Sequence, residues 1–293
     1  MPLNRLSESE VRSFGKEYIE SLEHWLRNII DHELRTAYGD DYFHRKKNAT
    51  DYVFRKEIRD EVDKRITDEP ERYCRPIDAC LLNTEITILT KPDLYKSFFE
   101  KYFIDSFPLG RDMLLKTLEK LIYPRNRLYH ANPISIRQLE QIICYTNDVI
   151  ASIKEYYKLH NMNQEFNVPK IIRITDSFGN NLFRESFNPN DSPIGTVSRI
   201  IEENYLYVGD TLKIEIEVDP SFPRNDYSIR WLIVKNGFKL DIPNNNSIIL
   251  PIEDSHVGEK LDIICNIKSN EQWHRGDGYD DAVILKYKVL PRR

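Results

Sequence analysis

The residues best suited to chemistry lie between two prolines, in Pro124-Arg125-Asn126-Arg127-Leu128-Tyr129-His130-Ala131-Asn132-Pro133. Two guanidinium groups, a carboxamide and an imidazole fall there within about one and a half helical turns. At about 100° per residue, Asn126 and His130 share a helix face, as do Arg127 and His130. Histidine changes protonation nearest neutral pH, and arginine holds phosphate oxygens through a planar fork. Pro124 suits the first turn of a helix, where free N–H groups and the positive dipole end favour an anion beside Arg125. The chemistry this predicts is metal-free phosphodiester cleavage, with Arg125 on the phosphate and His130 moving a proton. An alternative stays open on the same residues: a histidine that caps a helix end or pairs with a carboxylate, next to solvated arginines.

The flanking segments must position this stretch, and they read as helices. Phe14, Tyr18, Leu22, Trp25, Leu26, Ile29, Ile30 and Leu34 form one stripe over residues 9–37, with Ser7 or Ser9 as the N-cap and Gly39 as the stop. A charged helix is predicted over 52–66, broken at Thr67-Asp68-Glu69-Pro70, and an apolar one over 77–90. Another follows Pro92 through Phe103, and residues 111–123 run helically into Pro124, which is expected to begin the motif turn. Ser135 caps a last helix carrying Leu139, Ile142, Ile143, Val149, Ile150 and Ile153. The expected N-terminal part, residues 1–160, is an all-α bundle of five or six helices.

Character changes after His160. Residues 161–168 are a polar linker, and 169–293 are rich in β-branched residues, Asn-Gly pairs and prolines. Pro169–Thr175 and Leu182–Phe187 predict a hairpin, 188–198 a loop. Alternating segments at 212–218, 228–234, 247–252, 260–268 and 282–289 predict a β-sandwich. The fold class is therefore α + β in two domains. Gln272-Trp273-His274-Arg275-Gly276-Asp277-Gly278 is a loop of the composition that binding sites use, which makes Trp273, His274 and Arg275 candidate ligand contacts.

Arg125-Asn126-x3-His130 in this helical setting resembles the Arg-x(4–6)-His signature of HEPN domains. The resemblance extends to Leu22-Glu23-x-Trp25-Leu26-Arg27 and Tyr38-Gly39-Asp40-Asp41-Tyr42-Phe43, and so covers roughly residues 1–160. It implies a metal-independent endoribonuclease that dimerises so that two motifs share a cleft. In it His130 would transfer protons during 2′-OH attack, Arg125 would stabilise the transition state and Asn126 would orient one of them. The implied setting is a bacterial toxin or anti-phage effector, with no cofactor. HEPN domains without activity are also known, so a non-catalytic dimeric binding module is the other implication. In the second part, Trp231 and Cys265 occupy places where immunoglobulin-like domains carry a core Trp and Cys, although no cysteine in 212–218 pairs with Cys265. Ile229-x-Trp231-x-Ile233-Val234-x-Asn236-Gly237 and His256-Val257-Gly258-Glu259 are similar to C-terminal sensor domains of bacterial second-messenger nucleotidyltransferase systems. That similarity implies a small nucleotide or a protein partner at the β-domain.

Composition sets bounds on these readings. Net charge is −5 over 293 residues, which argues against nucleic-acid binding by bulk charge, so any RNA contact must be local. Residues 1–160 carry 26 basic against 27 acidic side chains, leaving room for a basic cleft. His44-Arg45-Lys46-Lys47, beside Tyr42 and Phe43, is the densest basic cluster. With Arg127, its residues Arg45, Lys46 and Lys47 are the predicted RNA contacts, and the two aromatics would stack on bases. A solvated loop is the other reading of that run. Cys74, Cys80, Cys144 and Cys265 lack metal-ligand spacing, no metal site is expected, and a reducing, cytoplasmic location is. No apolar run approaches a membrane span, and the first residues lead into a charged helix and not a signal-peptide core. The absence of a G-x4-G-K-[ST] loop argues against an NTPase.

Overall fold

The computed structural model describes residues 3–48, 50–70, 72–73, 75–163, 167–184, 187, 197–200, 205–235, 238–243, 245–275 and 278–293. Its first long element, α1 (Glu8–Tyr38), begins where the sequence supplies a cap. Ser7 Oγ accepts from the Glu10 N–H at 3.3 Å, and the Ser7 N–H donates back to Glu10 Oε2 at 2.7 Å. It ends at Gly39, whose φ of 85° suits a residue without a Cβ. Along its inner face Ile19, Leu22, Leu26, Ile29, Ile30 and Leu34 have no exposed surface. That stripe packs α1 against α3 (Leu82–Leu89), α6 (Arg111–Tyr129) and α7 (Ile136–Leu159). Ser135 caps α7 through Gln138 as expected.

Several predicted helices are shorter than their apolar patterns. The helix expected over 52–66 is α2 (Lys56–Asp68), because Tyr52 instead bridges to Lys46 and Val53 bonds to the Arg45 carbonyl. The one expected over 77–90 is a 3-10 turn, Pro76–Ala79, then α3. The break at Cys80 coincides with a tertiary bond, since Arg27 Nη2 donates to the Cys80 carbonyl at 2.9 Å. The segment after Pro92 divides into α4 (Pro92–Leu94), a π-helical turn Tyr95–Phe99 and α5 (Glu100–Phe103). Pro124 does not begin a helix: it lies inside α6, and the motif stretch forms that helix's C-terminal end. Tyr42 and Phe43 are not free to stack on bases. Each is 1% exposed, their rings pack with Phe54, and the Tyr42 hydroxyl donates to Asp31 at 2.9 Å.

The second compact unit, Met162–Arg293, is separate from the first, Met1–Asn161. It holds two sheets. One has the order β2 (Asn181–Phe183), β1 (Ile171–Asp176), β5 (Thr211–Val218), β8 (Ser247–Pro251), all antiparallel. The other runs β3 (Val197–Ile200), β10 (Asp281–Leu290), β9 (Gly258–Ser269), β6 (Tyr227–Lys235), β7 (Phe238–Pro243), with β4 (Leu206–Tyr207) also beside β10. Period-two burial turns one face of β5, β6, β8, β9 and β10 inward, and Ile171, Leu212 and Ile214 of the first sheet share a core with Trp231, Leu261 and Val283 of the second. Trp231 stands directly opposite Cys265, and the indole N–H donates to the Asn245 carbonyl. The predicted alternating strands are present, and the second arm of the hairpin, expected over 182–187, is β2, which ends at Phe183. β4 and β7 fell in no predicted strand, and β3 begins at the end of the predicted 188–198 loop. β3 and β4 pair with β10 in parallel, which no local pattern signals. Asn236, Gly237, Gly276, Asp277 and Cys74 lie outside the described residues. No helix among the described residues is long and apolar enough to cross a membrane.

Candidate functional site

The motif is placed by the packing of α6 on α1. A Cβ at Gly15 would sit 3.0 Å from Leu128 Cδ1 and 3.2 Å from Ile134 Cδ1, so glycine there lets α1 approach the motif turn. Leu128 and Ile134 are buried, and between them the chain turns outward. The turn is a Schellman-type cap. Ala131, at φ 59°, donates from its N–H to the Leu128 carbonyl at 3.3 Å, and Asn132 donates to the Arg127 carbonyl at 2.8 Å. Arg127 clasps the same turn, its Nε donating to the Pro133 carbonyl at 2.8 Å and its Nη1 to the Tyr123 hydroxyl at 3.3 Å. These contacts lie at the negative end of the α6 dipole, where cations and not anions are favoured. The helix N-terminus expected beside Arg125 is therefore replaced by a C-terminus.

Within that frame the three predicted catalytic side chains separate. Asn126 and His130 share the outer face and are exposed, with the His130 N–H donating to the Asn126 carbonyl at 3.1 Å. Arg125 turns inward and is 9% exposed. Its Nε donates to Glu23 Oε1 at 3.2 Å, and its guanidinium lies 4.2 Å from the centre of the Tyr129 ring, one helical turn on. The Nη1 and Nη2 groups donate to no described residue.

Behind Arg125 runs an alternating chain of charge. Glu23 Oε2 accepts from Arg27 Nη2 at 3.1 Å, and Arg27 Nε donates to Glu85 Oε1 at 2.7 Å. Glu85 has no exposed surface and its Oε2 lacks a partner. Burial pushes this carboxyl up to about 8, against the pull of Arg27. Glu23 thus answers the two arginines with its charge, while the buried Glu85 carboxyl tolerates burial by holding its proton up to about 8 and by its bond to Arg27. Burial of its hydroxyl end, then Glu23 and Glu20, push the Tyr129 phenol upward, and that hydroxyl donates to Glu20 Oε1 at 3.4 Å. Sequence reading missed Glu23, Arg27, Glu85 and Tyr129 as parts of the site. A signal existed: Glu23 and Arg27 are an i, i+4 pair interrupting an apolar stripe, and Glu85 is the one charge in the apolar run 77–90 besides Asp78.

The remaining predicted contacts lie elsewhere in the chain. Lys47 pairs with Asp93 at 2.8 Å, His44 with Asp63 at 3.1 Å, and Lys46 lies over Tyr52 at 5.6 Å, while Arg45 is exposed. Arg59 covers Tyr52 at 3.7 Å, so this ring and not Tyr42 or Phe43 accompanies the basic run. In the sheet unit Trp273, His274 and Arg275 are partly buried. His274 Nδ1 is 3.2 Å from Asp280 Oδ2, and the Arg275 N–H donates to Asp280 Oδ1 at 3.0 Å. Among the described residues no group of three or more His, Cys, Asp or Glu is placed to hold a metal ion. A cleft of about 370 Å³ in the helical unit, lined by Phe54, Arg55, Asn83, Thr87, Lys91 and Glu119 among others, contains none of the motif residues. The class these features define is an α + β protein with a helical unit and a two-sheet unit. No family model matches the chain, and no curated protein or solved structure matches it either.

Proposed function

We propose that this chain is a metal-independent endoribonuclease of the HEPN type, a bacterial toxin or anti-phage effector whose immunoglobulin-like second unit regulates it. The observation that carries the reading is the exposed Asn126–His130 face next to an arginine whose Nε is fixed by Glu23 while its two Nη groups donate to no described residue. His130 takes the proton from a ribose 2′-OH and the oxygen attacks the adjacent phosphorus. A second proton donor, His130 of a second copy in the shared cleft of a homodimer, protonates the leaving 5′-oxygen. Arg125 meets the charge that develops on the equatorial oxygens, and Asn126 orients the histidine. Arg127 and the basic run Arg45, Lys46 and Lys47 contact RNA phosphates.

The test is RNA degradation in EDTA by wild type, His130→Ala and Arg125→Ala. Activity in wild type that falls at least ~100-fold in both variants is expected, the usual scale for a lost acid–base or charge-stabilising group. Equal activity in all three, or none in any, removes the assignment. A second reading, a non-catalytic dimeric binding module, is favoured by the ion pair that already occupies Arg125. It predicts an intact dimer and no cleavage.

A further inference from the structure

The outward face of α6 carries a line of side chains that leads to His130. Lys120, Tyr123, Arg127 and His130 follow one another at spacings of three, four and three residues, so they share that face, while Leu118, Leu121 and Leu128 fill the opposite, buried one. Two helical turns, about 10 Å, separate Tyr123 from His130 along the axis. Tyr123 is 63% exposed, against 40% for Tyr129, whose ring is taken by Arg125. Arg127 steadies the Tyr123 ring from one side. Its Nη1 donates to the Tyr123 hydroxyl at 3.3 Å with the guanidinium 5.9 Å from the ring centre, and its Nε is held by the Pro133 carbonyl. Arg127 Nη2 donates to no described residue.

The charge on this face is one-sided. Between Glu119 and Glu140 the chain has no acidic residue and four cations, Lys120, Arg125, Arg127 and Arg137. Of these, Arg125 alone is matched by a carboxylate among the described residues, that of Glu23. Lys120 Nζ lies 4.7 Å from the centre of the Tyr145 ring and donates to its hydroxyl at 3.3 Å, and Arg137 is exposed. The nearest carboxylates in the fold are engaged elsewhere: Glu119 pairs with Lys116 at 2.8 Å, and Glu20 accepts from the Tyr129 hydroxyl. Glu140 and Asp148 of α7 are exposed, and neither pairs with a cation of this line. An open aromatic ring between cations that lack carboxylate partners matches a single polynucleotide strand, whose bases stack on rings and whose phosphates meet the cations. A duplex keeps its base faces stacked inside and cannot use the ring.

We propose that Tyr123 is the stacking platform for an unpaired base of the RNA strand, a positioning residue that lays the strand along α6 so that a neighbouring phosphate reaches His130. The substrate class is therefore single-stranded RNA. The phosphate at His130 rests on the nuclease assignment above, whereas the stacking of the base does not. Lys120 and Arg127 stand on either side of the ring and take the flanking phosphates. The Tyr123 hydroxyl is spent on Arg127 and leaves the ring face to the base, so a phenyl ring serves the strand equally well.

Fluorescence anisotropy on the full chain tests this with a short labelled RNA strand, 2′-O-methylated so that it cannot attack its own phosphates, beside the duplex it forms with its complement. Tyr123→Ala should bind the single strand ~5-fold or more weakly, the lower end of the range for a lost base–ring stack. Tyr123→Phe should stay within ~2-fold of wild type, and duplex affinity should change less than ~2-fold in either variant. The proposal is overturned by no saturable binding of the single strand to wild type, by Tyr123→Ala binding it as wild type does, or by equal losses on strand and duplex. It is also overturned if Tyr123→Phe is as weak as Tyr123→Ala, because the effect then belongs to the hydroxyl and its hold on Arg127. Cleavage of the unmethylated strand in EDTA, run on the same proteins, separates this proposal from the nuclease assignment. Ring-dependent binding without cleavage keeps the platform and removes the nuclease, whereas cleavage with ring-independent binding keeps the nuclease and removes the platform. Should Tyr123→Ala fail to fold, wild type decides alone: a strand of abasic nucleotides should bind ~5-fold or more weakly than one with bases, and equal affinity overturns the proposal.

Discussion

Glu85 ends the charge chain that begins at Arg125, and its environment makes a pH-dependent prediction. Its folded-state value, about 8, stands above the ordinary 4.5 of the unfolded chain, so the folded protein holds this proton more firmly. The stability it contributes is fully present below about 4.5 and is lost as pH rises through about 8. Glu85→Gln cannot ionise. Its melting temperature relative to wild type should therefore climb from pH 5 to pH 8 and level off above, and a constant difference would contradict the assignment. Arg27→Met takes from the buried Glu23 carboxylate one of its two arginine partners and from Glu85 its Nε–H donor, and should cost about 3–5 kcal/mol in urea unfolding at pH 7. Lys170 gives the opposite slope. Burial, then Arg184 and Arg275, bring its folded value to about 7, below the ordinary 10.5, so the folded state is penalised wherever the amine is charged. Lys170→Met should stabilise the chain most below pH 7, with the gain fading towards pH 10.5. The environment of Glu85 is not legible from neighbours in sequence, because Arg27 stands 58 positions away, and neither is that of Arg125, whose partner Glu23 is 102 positions distant.

The turn after α6 shows how an element holds the site and what it costs. Ala131 occupies a left-handed conformation that favours glycine, and the turn persists because Arg127, Leu128 and Asn132 close it with hydrogen bonds. Ala131→Gly should stabilise the protein by about 0.5–1 kcal/mol, the strain relieved less the added freedom of the unfolded chain. Its thermal melt relative to wild type measures this. Gly15→Val places two further methyl groups where even a Cβ would meet Leu128 at 3.0 Å. It should destabilise by about 1–3 kcal/mol and displace the motif turn, which a fall in melting temperature reports. Helix ends at Ser7, Gly39 and Ser135 were legible because capping is settled within four residues. The role of Pro124 was not. A proline reads equally as a helix start or as an interruption, and only the packing of Leu121 and Leu128 on the same buried face carries α6 past it.

At the scale of the whole molecule, two units with separate cores make a prediction about unfolding. Residues Met1–Asn161 depend on a buried charge chain and helix packing, Met162–Arg293 on one apolar core between two sheets. Scanning calorimetry of the full chain should resolve two transitions, and Gly15→Val should shift only one of them. A single transition that moves as a whole would contradict this. The helical and alternating patterns, the caps and the strands from β5 to β10 apart from β7 are written in the order of the residues, because each is a preference expressed over close neighbours. That Tyr42 and Phe43 are interior, that β3 and β4 lie parallel to β10, and that Arg125 faces Glu23 while His130 faces outward follows from long-range packing alone. Those outcomes depend on which distant groups share a low-dielectric interior, where pairing and burial energies exceed any local propensity.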